Sequence, residues 1–428
     1  MKKLLWGICL LLMTVCPGRV QAAAADFPSL NKEYICAWMS LASYSDRIGL
    51  AARAELEASG WELVLRHEEK KRTDAKFYYA RRTAPDGAPL YLLAVAGTES
   101  QKDLRNDLNI GKVYFAGKTA EEFAANAKRR RTDPAEPQVH GGFNEYVQAA
   151  FFTPLSDGTV AGELFRDRLL ADRRARLCLT GHSLGGASAV IFGQRLIAMG
   201  VPADQIEVIT FGTPAVGNEA FCRLTEESGL QLDRVIITGD PVHGVLQKLA
   251  GGYHQFDTVT AWRRNHNCDL FRHAMTVYLD AALREYYCEN TAFPPGEKPD
   301  IYAIIKIKLG QDISGDGVIM RRAAEHFLQR TLKGRVHFAA DPELSFHEQL
   351  KAAQKMGASF VLTEEIDGHI LKNERSRYAI GLQETIYDTA GNLAGGFGAT
   401  TSTAKMTPIE GVLYDIVYAR SERERILQ

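Results

Sequence analysis

An apolar run, Leu177-Cys178-Leu179-Thr180, leads without a spacer into Gly181-His182-Ser183-Leu184-Gly185, and Gly186-Ala187-Ser188-Ala189-Val190 leads out of it. The run has the length of a buried strand, and the small-residue stretch that follows reads as a helix over residues 184–199. A strand that turns at once into a helix has no room for Cβ atoms two residues either side of the turn, which is where Gly181 and Gly185 stand. The spacing therefore predicts a tight elbow that projects Ser183. The helix start behind it aims backbone N–H groups and a positive dipole end at the same place.

Similar short apolar runs recur along the first two-thirds of the chain. Residues 61–65, 75–81, 89–96, 206–211 and 234–238 read as strands, with helices over 30–48 and 119–130. Strands that are continuously apolar and alternate with helices predict an α/β unit, a mainly parallel sheet flanked by helices on both faces. A Pro-rich stretch over residues 290–300, including Pro294-Pro295-Gly296, reads as a linker. Beyond it a different pattern starts, with strands at 301–309, 336–339 and 359–363 and helices at 317–332 and 346–356. A hairpin over 378–401 turns at Asp388-Thr389-Ala390-Gly391-Asn392, and a closing helix covers 409–421. This predicts a small α+β domain over 301–428, following a first domain over 26–289.

The 428 residues carry 46% hydrophobic and 24% charged side chains, ordinary for a folded soluble protein and against long disorder. Lys plus Arg (51) and Asp plus Glu (52) nearly cancel, which argues against bulk nucleic-acid binding. The run Lys128-Arg129-Arg130-Arg131 reads as a solvated loop. At the N-terminus, Lys2 and Lys3 precede an apolar run from Leu4 to Val15 that is too short for a membrane anchor, and Val20-Gln21-Ala22-Ala23 offers a small-residue exit. Residues 1–22 are expected to be a signal peptide, making the protein secreted or periplasmic. Val15 before Cys16 disfavours a lipoprotein, and no later stretch has the length of a transmembrane helix. Five cysteines remain after cleavage, so at least one thiol is free or pairs between chains. A bridge from Cys36 to Cys288 would tie the ends of the first domain together, though spacing does not assign connectivity.

Six ordered segments carry a family likeness: Ala42-Ser43-Tyr44-Ser45, Ala96-Gly97-Thr98, Val139-His140-Gly141-Gly142-Phe143, the elbow, Thr210-Phe211-Gly212-Thr213-Pro214-Ala215-Val216-Gly217-Asn218, and Gly239-Asp240-Pro241-Val242. Over roughly residues 30–285 the chain resembles the class 3 lipases, α/β-hydrolase-like enzymes that cleave carboxylic esters. An activated serine needs a base, and the base an orienting carboxylate. Asp240 ends an apolar strand and matches the family's acid segment, against a turn-forming Asp before Pro241. The base must follow in the chain. His273, before Ala274-Met275-Thr276-Val277-Tyr278-Leu279, resembles the family's catalytic histidine. His254 stands as the alternative, while His243 lies too near Asp240 and His266 lacks context. The resemblance also implies an oxyanion hole from Thr98 and the N–H of Leu184.

These residues predict hydrolysis of an ester or lipid through an acyl-enzyme, with no metal and no cofactor. His140 reads as closing a strand. Residues 99–109, where many lipases of the family carry a lid, hold only two leucines among charged and polar residues, and the insertion over 115–137 is polar too. Strong activation at a fat droplet is therefore not expected, and a soluble ester or phospholipid fits as well as long-chain fat. Two other readings use the same sequence: a retired hydrolase fold kept as a cell-envelope binding module, and acyl transfer in place of hydrolysis. The second domain loosely resembles accessory domains of exported bacterial envelope proteins. A docking role in peripheral contact with membrane or envelope stands there beside that of a solubilising passenger.

Overall fold

The computed structural model describes residues 32–44, 48–67, 75–97, 111–129, 133–249, 251–263, 270–371 and 377–428. The signal-peptide region, Thr98, the segment 99–109 and His266 lie outside them. Seven strands build the first sheet in the order β1-β2-β3-β6-β7-β8-β9. They are β1 (Glu62–His67), β2 (Lys76–Thr83), β3 (Pro89–Val95), β6 (Arg176–His182), β7 (Ile206–Phe211), β8 (Gln231–Ile237) and β9 (Thr260–Trp262). The pairs from β3 to β9 are parallel, and β1 and β2 add an antiparallel edge. The short pair β4 (Lys112–Tyr114) and β5 (Gln138–His140) stands apart. The fold is α/β, with the mainly parallel sheet that the apolar runs predict.

Side-chain alternation explains how both faces are filled. Leu92, Ala94 and Cys178 point to the side covered by helices Lys32–Ala42 and Met275–Glu289, where Trp38, Leu41, Tyr278 and Leu283 are buried. Leu93, Val95, Leu177 and Leu179 point to the other side, against Phe143, Val147, Phe165 and Phe192. Those four come from helices Gly141–Phe151, Ala161–Ala171 and Leu184–Ala198. The single helix expected over 30–48 instead ends at Ala42, and a second helix runs Gly49–Ala58.

The candidate bridge from Cys36 to Cys288 is not formed. Cys36 points from its helix onto the sheet, and its Sγ lies 3.4 Å from Sγ of Cys178, both buried as free thiols. Cys288 sits in the last turn of helix Met275–Glu289, exposed and free.

A second sheet has the order β11-β10-β12-β13-β14. Its strands are β10 (Ile301–Leu309), β11 (Val336–Phe338), β12 (Phe360–Ile370), β13 (Tyr378–Asp388) and β14 (Leu393–Thr403). Strands β11, β10 and β12 are parallel, and β12, β13 and β14 form an antiparallel meander. Strand β12 runs well past the 359–363 expected, because its register with β13 continues to Ile370.

Residues 290–300 carry no helix or strand, yet the two sheets do not have separate cores. Tyr34, Trp38 and Tyr287 belong to one buried cluster with Phe327, Leu328, Ile409 and Val412. Ion pairs reach across the same seam. Arg284 binds Asp280 at 2.6 Å and Asp316 at 2.7 Å, and Arg330 pairs with Glu55 at 3.1 Å. Burial pushes the Glu55 carboxyl up to about 6, against the pull of Arg330 and Ser59.

Candidate active site

Parallel strands deliver their carboxyl ends to one edge of the first sheet, and the candidate residues gather there. At the end of β6, Ser183 takes φ 57° and ψ −124°, a backbone state that L-residues rarely adopt and that costs about 1–3 kcal/mol. The flanking glycines are required by space. A Cβ on Gly181 would stand 2.4 Å from the carbonyl carbon of Gly185, and one on Gly185 2.1 Å from the Val95 oxygen. The Ser183 N–H donates to the Phe211 carbonyl at 2.9 Å, tying the elbow to β7.

Three of the expected residues meet. Ser183 Oγ lies 2.8 Å from Nε2 of His273, and Nδ1 of His273 lies 2.8 Å from Oδ2 of Asp240. All three are buried. Asp240 follows β8, and His273 stands just before helix Met275–Glu289, so sheet and helix together fix the array. Burial raises the Asp240 carboxyl pKa, but the His273 hydrogen bond and charge, the Tyr278 hydroxyl and the Val242 N–H outweigh it, and the pKa falls below the usual carboxylate value. An ionised carboxylate on Nδ1 leaves Nε2 as the acceptor facing the serine hydroxyl. That is the arrangement a nucleophilic hydroxyl needs.

Several partners were not legible as such in the sequence. The Tyr278 hydroxyl donates to Asp240 Oδ2 at 2.5 Å, and Val242 N–H to Oδ1 at 2.8 Å. Gly212, at φ 58°, clears the space beside them; a Cβ there would stand 2.8 Å from the Tyr278 hydroxyl and 3.0 Å from Oδ2 of Asp240. His182 braces the base from behind. Its Nε2 lies 2.6 Å from the His273 carbonyl oxygen, which only accepts, so the proton is on Nε2 and Nδ1 accepts from the Tyr44 hydroxyl at 2.8 Å. Tyr44 and Tyr278 both fall in segments that carry the family likeness, which is the only signal the sequence held.

The alternatives fall outside the array. His243 uses Nδ1 on the backbone oxygen of Asp240 at 2.8 Å, and exposed His254 bridges Gly217 through its backbone. His140 closes β5 as expected and caps the next helix, its Nδ1 accepting from Gly142 and Phe143 N–H. Leu184 begins helix Leu184–Ala198, so its N–H is among the first-turn donors without an intrahelical acceptor. Thr98 lies outside the described residues. Among those residues, no group of three or more His, Cys, Asp or Glu side chains can hold a metal ion.

Burial pushes His182 down to about 3, with the charge of His273 adding to it, and pushes His140 to about 4 and His326 to about 3. These imidazoles are neutral when folded, whereas an unfolded histidine takes a proton near pH 6.5. The stability they hold is therefore complete above about pH 6.5 and drains as pH falls toward their folded values. Urea unfolding at several pH values between about 4 and 7 is expected to show a steeper loss of stability for the wild type than for His182→Gln. Equal slopes would mean that His182 is not held neutral by the fold.

Ser183, His273 and Asp240 thus stand joined in that order at the carboxyl edge of an α/β sheet. Residues 92–248 match the family model described as lipase (class 3). A lipase of Caenorhabditis elegans is 43% identical over 65 residues, 15% of this chain and 18% of that protein. A phospholipase A1 of Oryza sativa subsp. indica is 31% identical over 178 residues, 36% of this chain and 40% of the other. The matches thus span well under two-thirds of these relatives. Among solved structures, a lipase from Rhizopus microsporus var. chinensis is similar at 20% identity and a TM-score of 0.38, over 54% of this chain and 72% of that one.

Proposed function

We propose that the chain is an exported carboxylic-ester hydrolase in which Ser183, His273 and Asp240 form a catalytic triad. The observation that carries this reading is the unbroken path from Ser183 Oγ through His273 to Asp240, with both links at 2.8 Å. His273 Nε2 takes the hydroxyl proton as Ser183 Oγ attacks the ester carbonyl carbon. The Leu184 N–H and Thr98 receive the oxyanion, and the Asp240 carboxylate stabilises the imidazolium. The imidazolium then protonates the leaving alkoxide as the C–O bond breaks. Water deprotonated by the same nitrogen cleaves the acyl-enzyme, releasing the acid and restoring Ser183.

Export rests on the charged, apolar and small-residue order of residues 1–22. The names lipase and phospholipase A1 among the relatives support a lipid ester, met by peripheral contact with a membrane or envelope surface. The polar composition of residues 99–109 favours soluble esters or phospholipid over fat droplets. The purified protein is expected to turn over p-nitrophenyl esters, short acyl chains better than palmitate, and to release free acid from phospholipid vesicles. Folded protein that turns over none of these esters would sink the reading and leave a retired hydrolase fold in its place.

A further inference from the structure

A cavity of 1120 Å³ lies on the second sheet and shares no residue with the Ser183 array. Strand β14 forms one wall and helix Pro408–Tyr418 the other, with Phe397, Thr401, Met406, Tyr414, Asp415 and Tyr418 among the lining residues. Three observations indicate what fits there.

The first is the strand itself. β14 ends its sheet, with β13 as its one neighbour, and no backbone partner meets its outer side among the described residues. Its 11 residues contain no charge and no proline. Proteins usually blunt such an edge with lysine, proline or a covering element, because its free N–H and C=O groups accept another strand.

The second is Asp415, 1% exposed. Its Oδ1 accepts from the Thr401 hydroxyl at 2.6 Å, while its Oδ2 is buried with no partner. A buried acceptor left unpaired is costly, and a donor brought by a ligand removes that cost. The other charged lining residue, Lys405, is exposed, where solvent screens it.

The third is the aromatic wall. The rings of Tyr414 and Tyr418 stack at 6.1 Å, Phe397 lies 5.9 Å from Tyr418, and Tyr418 is 58% exposed. Such rings cover the alkyl stem of a lysine or arginine and favour its charge.

We propose that β14 and Asp415 form a docking groove for an extended basic segment of another protein, which adds to the sheet as a sixth strand and sets a lysine or arginine on Asp415. The test uses the full chain and a labelled peptide, acetyl-Thr-Val-Thr-Lys-Thr-Val-Thr-amide, followed by fluorescence anisotropy. Binding is expected, weakened at least tenfold when alternate peptide nitrogens are methylated and by a similar factor when glutamate replaces the lysine. Asp415→Asn, with its melting checked, is expected to lose the preference for lysine over glutamate. Absence of binding overturns the proposal, as does binding that ignores both methylation and the central charge. A dimer in sedimentation that the lysine peptide fails to dissociate also overturns it, and assigns the edge to a second copy. Esterase activity is not the readout, so the result stands apart from the proposed reaction.

Discussion

Ser183→Ala is expected to lower kcat on a p-nitrophenyl ester by about 10⁴- to 10⁶-fold. KM and the melting temperature should hardly move. The size follows from what the hydroxyl does alone: no other buried hydroxyl is seen within bonding distance of His273 Nε2 among the described residues. The small effect on folding follows from the backbone. The turn is held by the Ser183 N–H on Phe211 and by Gly181 and Gly185, none of which alanine disturbs. Alanine at a positive φ carries about the same strain as serine there. The decisive comparison is acyl-enzyme trapping by mass spectrometry with a slow ester. The wild type should gain one acyl group on the peptide holding Ser183, and the variant none. Retained turnover with trapping elsewhere would move the nucleophile.

The second large effect is on stability. Arg423 is fully buried, with Nε 2.7 Å and Nη2 2.6 Å from Oε2 of Glu384, and Nη2 3.6 Å from Oε1 of Glu364. Arg423→Leu keeps apolar volume but leaves two buried carboxyls without a cation, which costs about 3–5 kcal/mol. Burial already raises Glu364, Arg423 opposing and Glu384 adding to the rise. A carboxyl with a raised folded pKa contributes stability below its unfolded value, near pH 4.3, and loses it as pH rises. The variant should therefore be closest to the wild type near pH 5 and fall furthest behind near pH 8 in urea unfolding. Because one buried cluster joins both sheets, esterase activity should vanish in the same transition. Two separated transitions, with activity surviving the first, would show that the sheets fold independently.

What the sequence disclosed and what it hid divide along contact range. The elbow was legible because its causes are local: an apolar strand, two glycines, a helix start. The helix Phe346–Met356 was legible for the same reason, since Ser345 and Glu348 form a capping box and Gly357 ends it in the left-handed conformation. Asp240 and His273 were reachable through the order of segments, but nothing in their own neighbourhoods fixes the distance between them. The brace of Tyr44 on His182, and of His182 on the His273 carbonyl, depends on how the first helix settles on the sheet. Cys36 beside Cys178 has the same origin, since a shared sheet face is decided by packing 142 positions apart in the chain. β9 was missed because three residues, Thr260–Trp262, are too short for any period to register.

The shared cluster also sets an order in time. A chain emerging from its N-terminus presents Tyr34 and Trp38 early, yet Trp38 packs on Phe327 and the same cluster runs on to Ile409 and Val412, made near the end. Most of the first helix is covered once strands β3, β6 and β7 and helix Met275–Glu289 are in place, but its part of the shared cluster stays open until the second sheet follows. Until then it is a ready target for a holding chaperone or a misplaced neighbour. Messages cut short before helix Pro408–Tyr418 would, by this geometry, leave that part of the shared cluster exposed.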